Sequence, residues 1–189
     1  MSQPEPTARS GHPDVDSGVW PDPDDDPRSG DVVTTDERST LLAYLAHHRL
    51  TMELKCAGLD AEQLSRRSVP PSPMSLLGLV RHLADVERNW FRRQIGGGHE
   101  PDVFRDAARP DDDFDGVTPD PVAVVDAFRV WRSEIANSDR VIAGVTDLSV
   151  QVASGVQIRD ILVHMVEEYA RHCGHADLLR ESIDGRTGQ

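Results

Sequence analysis

Seven residues constrain the architecture of this chain more than any other feature. Ile158, Ile161, Met165, Glu168, His172, His175 and Leu179 are spaced 3, 4, 3, 4, 3 and 4. That is the seam of a long helix facing the core of a bundle; a strand would alternate at every second residue. The middle of such a seam should be Leu or Ile. Here it holds a carboxylate and two imidazoles. An ionised Glu buried without a partner costs several kcal/mol, so a compensating group must face it.

The helical period recurs upstream. A first helix is predicted over about 36–57, with Leu41, Leu45, Met52, Cys56 and Leu59 inward and His48 in a gap of the same stripe. Asp60 and Gln63 form a capping box for a short helical turn, and SVPPSP is a rigid connection. A second long helix starts at Ser72 or Ser75 and runs to about residue 95, burying Leu76, Leu79, Val80, Leu83, Val86 and Trp90. Three glycines end it. Residues 99–119 form an acidic loop, longer than compact domains usually tolerate unless it serves a site. Asp120 and Pro121 pair as N-cap and first helical residue of a third helix to about residue 144, with Val125, Phe128, Ile135 and Ile142 inward. The seam helix spans about 156–184. VAVV and SVQVAS could pass for strands but lack partners with turn chemistry. Four helices of this length make an all-α four-helix bundle over residues 35–189.

Glu168 and His172 are four apart, so they share one helix face. His82 lies between Leu79 and Val86 on the second helix and also points inward. Three such groups from two helices can close on one divalent cation, with a position left open as in catalytic zinc sites. A buried His–Glu hydrogen-bond network or a partly solvated seam would satisfy the same pattern. His175, His48 and His164 are candidates for hydrogen-bonding a ligand or lining the pocket; His164 is rotated toward the flank. Cys173 is turned off the seam and Cys56 is far from it, so neither a disulfide framework nor a zinc knuckle is indicated. No Glu-x-x-His occurs, which excludes the di-iron bundle motif, and His-Glu-x-x-His is also absent. No catalytic residue is assigned.

Charge narrows the partners. The net charge is −13, and residues 1–34 hold eight acids against Arg9 and Arg28. That segment has six prolines and few large apolar residues, so it reads as a disordered acidic tail. Trp20 is an isolated aromatic within it, or a short docking motif. The acidity disfavours nucleic acid and anionic membrane surfaces. No apolar run suits a transmembrane helix, and the start of the chain lacks signal-peptide features, so a cytoplasmic protein is expected.

The stretches ERSTLLAYL, PPSPMSLLGLVRHLADVERNWFRR and LVHMVEEYARHCGHADLLRESIDGRTG carry a resemblance to a known family. Over about residues 35–188 the chain resembles the DinB-like / YfiT-like metal-dependent thiol-S-transferases, especially the mini-circle protein branch. The resemblance implies a metal held by His82, Glu168 and His172. Glu168 stands where many members have His, which is similar to the His/Glu/His set of mycothiol-dependent maleylpyruvate isomerases. One negative charge at the site favours Zn²⁺ over Ni²⁺. The family implies a low-molecular-weight thiol as cosubstrate, such as mycothiol, used for S-transfer to, or isomerisation of, a small electrophilic substrate. Arg81, Arg88, Arg92 and Arg171 are candidates for holding their carboxylates. It also suggests a homodimer. The alternative is a non-catalytic binding or stress-response bundle with a structural or vestigial metal site.

Overall fold

The computed structural model describes residues 26–28 and 34–187. The expected tail over 1–34, Trp20 included, lies almost wholly outside the described residues. The first helix, α1 (Glu37–Cys56), is capped by Asp36, whose carboxylate accepts from Ser39 N while Ser39 Oγ accepts from Asp36 N. The predicted Asp60–Gln63 capping box opens α2 (Ala61–Ser65). Ser75, not Ser72, caps α3 (Leu76–Glu87), because its Oγ reaches Gly78 N at 3.1 Å. The helix then changes pitch rather than stopping, and Arg88–Ile95 continues as a π-helical segment. A short α4 (Asp112–Asp115) interrupts the acidic loop. Asp120 and Pro121 start α5 (Pro121–Ala143) as expected. Helix α6 (Ile158–Asp184) ends at Gly185, whose φ of 78° suits glycine. Among the described residues there is no strand; SVQVAS contributes a single antiparallel bridge, Gln151 to Gln157.

The four long helices pair α1 with α6 and α3 with α5, and α3 also meets α6 and α1. The predicted stripes of α1, α3 and α6 largely form the core, including Leu45, Met52, Leu79, Leu83, Ile161 and Met165. Each such burial contributes roughly 1.5–3 kcal/mol. Two expectations need correction. On α5, Val125 is 66% exposed, and Ala127, Trp131, Glu134 and Ser138 join the expected Ile142 on the inward face. Counting apolar residues alone missed it because half of that face is polar. On the second long helix, Trp90 of the π-helical segment is only half-buried, whereas Leu77, Gly78, Ala84, Asp85 and Glu87 of α3 are buried as well. The loop after the π-helical segment covers the outer side of α3, so this helix is enclosed nearly all round.

A polar network crosses the centre of the bundle. Arg49 on α1 donates twice to Glu87 on α3, both at 2.8 Å, and once to Asp139 on α5 at 2.9 Å. The Tyr169 hydroxyl on α6 donates to Glu87 Oε1 at 2.8 Å and accepts from Trp131 Nε1 on α5 at 2.9 Å. All four helices contribute a member. Burial and the adjacent Glu87 raise the Tyr169 phenol well above its ordinary range. Burial opposes the Arg49 charge most strongly, but Glu87, Tyr169 and Asp139 together outweigh it and raise the guanidinium still further.

Candidate metal centre

Toward one side of this network, α3 and α6 bring His82, Glu168 and His172 together. One ligand-type atom from each lies within 4.8 Å of the others. Glu168 Oε1 is 3.1 Å from His82 Nε2 and 3.2 Å from His172 Nε2. Ligand atoms about 2.0–2.1 Å from a tetrahedral cation would stand about 3.3 Å apart, so these separations fit a shared ion. All three side chains are largely buried, with Glu168 only 13% exposed.

The acidic loop supplies a residue that no sequence pattern indicated. Asp113 on α4 is buried, and its Oδ2 lies 2.8 Å from His82 Nδ1. What turns this one aspartate inward is Arg81, the neighbour of His82. The Arg81 guanidinium donates to the carbonyls of Asp112 at 2.5 Å, Asp113 at 2.9 Å and Gly116 at 3.2 Å. Phe114 then stacks on the His82 ring at 5.1 Å between centroids. Gly78 permits this approach, since a Cβ there would stand 3.0 Å from Phe114 Cδ1. Asp85 completes the docking by accepting from Val103 N and Phe104 N at 2.6 and 3.0 Å.

This arrangement fixes the electrostatics. With Nδ1–H donated to Asp113, His82 offers at Nε2 either a lone pair or a second proton. A lone pair 3.1 Å from a carboxylate oxygen is repulsive, so a positive charge belongs between them. In the metal-free chain a proton takes that role. Burial pulls the His82 imidazolium down, but hydrogen bonds to Asp113 and Glu168 more than reverse this and raise it to about 9. The same bonds from His172 and His82 hold the Glu168 carboxyl well below the usual carboxylate range. A divalent cation answers the same conflict with more charge, and the carboxylate–histidine pair behind it is the usual support for a metal-bound imidazole.

The remaining candidates separate. His175 sits at 3.3 Å, Nδ1 to Nδ1, from His172, and burial and His172 lower its pKa. His164 packs edge-on against Trp90 at 4.8 Å, and His48 against His47 at 5.8 Å, so neither joins the cluster. Arg88 and Arg92 both pair with Glu134 and Arg81 clamps the loop, so none of these three is aimed at the His82 cluster. Arg171 is exposed, with Nη1 3.7 Å from Glu168 Oε2. Among the described residues no helix is long and apolar enough to cross a membrane.

No curated protein matches the sequence significantly. A family model does: the mycothiol-S-transferase model matches residues 40–185, from the first turn of α1 to the end of α6. The match spans every helix and all four residues of the His82 cluster, and the chain belongs to the mycothiol-S-transferase family.

Proposed function

We propose that this protein is a cytoplasmic transferase that holds a divalent cation, Zn²⁺ in preference to Ni²⁺, and uses a mycothiol-type thiol to modify a small electrophile. One observation carries the reading: two imidazole nitrogens and a carboxylate from two helices face one point, with the tautomer of His82 set from behind by Asp113. A bound cation supplies acidification of a thiol, so that the thiolate exists near neutral pH. The chain's own groups do the rest. His82, Glu168 and His172 are the holding set, and Asp113 fixes the orientation of His82. His175 steadies the His172 ring through its Nδ1. Phe114 shields one face of His82 from water, and Arg171 places a positive charge at the exposed edge of Glu168. The reaction class is S-transfer, in which the thiol gives up its proton, its sulfur bonds to an electrophilic carbon, and the leaving group on that carbon departs with the electron pair of the broken bond.

Elemental analysis of the purified full chain tests this. About one zinc per chain is expected, as for a single mononuclear site. His82→Ala and Glu168→Gln should each lose the metal and the heat of thiol binding in calorimetry, while far-ultraviolet circular dichroism stays unchanged. A wild-type protein that is metal-free, takes up no added zinc and binds no thiol would refute the reading.

A further inference from the structure

The acidic loop encloses a second feature, which the cluster does not use. Between the π-helical segment and α4 lies a cleft of about 970 Å³, at the upper end of the range for small-molecule pockets. It backs onto the cluster through one residue: Arg105 Nη1 reaches 4.0 Å from Asp113 Oδ2, whose other side faces His82. The cleft is therefore distinct from the metal centre, on the far side of Asp113.

Its walls are rich in arginine in a chain that is strongly anionic overall. Four arginines and three aspartates line it. Each aspartate is already matched. Asp102 accepts from Arg93 at 2.7 Å and Arg105 at 3.1 Å, and Arg109 pairs with both Asp106 and Asp112. Arg81 faces the cleft with no carboxylate on its guanidinium: its hydrogen bonds go to three carbonyls, and its plane lies over the Phe104 ring at 4.7 Å. Among the described residues, Arg93 Nε is buried with no hydrogen-bond partner. Arg105 uses Nε for Asp102; among the described residues its terminal nitrogens make no hydrogen bond, and Nη1 stands 4.0 Å from Asp113 Oδ2 as a loose ion pair. A partly enclosed pocket lined by guanidinium groups with unused donors suits a planar or tetrahedral oxyanion.

We infer that this cleft is an anion-binding site for a small molecule carrying a carboxylate or phosphate group. Binding there is independent of the cation at His82. Titrations of the full chain at low ionic strength, followed by amide nuclear magnetic resonance, test it with citrate and inorganic pyrophosphate as the two probes. Saturable shifts are expected in the amides of 103–109 for at least one probe, with Kd below about 1 mM. The tighter probe identifies the preferred group. Arg105→Gln should weaken that binding about tenfold, the effect of losing one charge-assisted contact. Arg109→Gln, at an exposed position, provides the same test should Arg105→Gln fold poorly. Arg129→Gln, on the exposed face of α5, should leave binding unchanged. Glu168→Gln should also bind normally, so the metal reading can fail while this one stands. Absence of saturation by either probe up to about 10 mM would overturn the inference. So would binding that both cleft variants leave intact, or that Glu168→Gln abolishes.

Discussion

Glu87 and Glu168, two of the carboxylates enclosed by this bundle, are handled in opposite ways. Glu87 is fully buried, and each of its oxygens has a dedicated donor: Arg49 forks onto both, and Tyr169 adds a third bond. Its counter-charge is built into the chain. Glu168 lies one helix away and is compensated mainly by two histidines, groups whose charge depends on a proton. The first arrangement is closed: every strong donor and acceptor is used inside the fold. The second is open: its lone pairs converge on a point that a proton or a metal must occupy. A buried charge with its own guanidinium ties helices together; a buried charge facing imidazoles is available for chemistry.

The largest expected effect breaks the closed site. Glu87→Ala leaves the Arg49 charge buried beside Asp139 alone, which should cost about 3–5 kcal/mol in urea unfolding. Zinc content of the protein that remains folded should not change. Loss of metal at equal folding would show that the two carboxylates form one unit. Tyr169→Phe is milder. It removes one donor to Glu87 and leaves Trp131 Nε1 without its acceptor, for about 1–3 kcal/mol by the same measurement.

The open site should respond in the opposite sense. Asp113→Asn preserves shape and removes the charge behind His82. Outer partners of metal-bound histidines are typically worth about 10–100-fold in metal affinity, and a loss of that size is expected in a competition titration with a zinc indicator. The unfolding free energy of the metal-free protein should fall by about 1–3 kcal/mol near neutral pH, because the His82 imidazolium loses its charged partner. A large stability loss with unchanged affinity would place Asp113 with the structural network instead.

The two regions were unequally legible in the sequence. Glu168, His172 and His82 were visible because each interrupts an apolar stripe whose period was otherwise intact. Glu87 gives the same signal on α3, four residues after Leu83 and four before Phe91, but its partner Arg49 lies on another helix and no spacing within α3 links the two. Asp113 gave no signal. It sits in the run DDDFD, where nothing in the local pattern separates one aspartate from the next; the choice is made by Arg81 gripping three carbonyls across the loop. The α5 face was misread at Val125 for a related reason. Its true inward positions include Glu134, which lies against Arg88 and Arg92 of a different helix. Partnerships between elements distant in sequence decide which polar residues go inside, and no periodicity encodes them.

The smallest effect expected sharpens what the open site is for. Cys173 is adjacent to the cluster residue His172 in sequence, so a protein-borne thiol could in principle be the nucleophile. The structure points it away. Its Sγ lies against the His48 carbonyl of α1 at 3.5 Å, and burial, aided by Asp177, pushes the thiol up to about 12. Cys56 is likewise raised to about 12, chiefly by burial. Raised thiols remain protonated, so at about pH 8, where an ordinary cysteine is partly thiolate, neither should react with a thiol-specific reagent until the protein unfolds. Cys173→Ser should leave zinc content and thiol-dependent turnover nearly unchanged. Rapid labelling of the native protein, or loss of turnover in that variant with the metal retained, would move the nucleophile into the chain. Without either, the chain contributes a holding site and the reactive sulfur comes from a small thiol, which is the division of labour that an open carboxylate–histidine cluster beside a closed structural one allows.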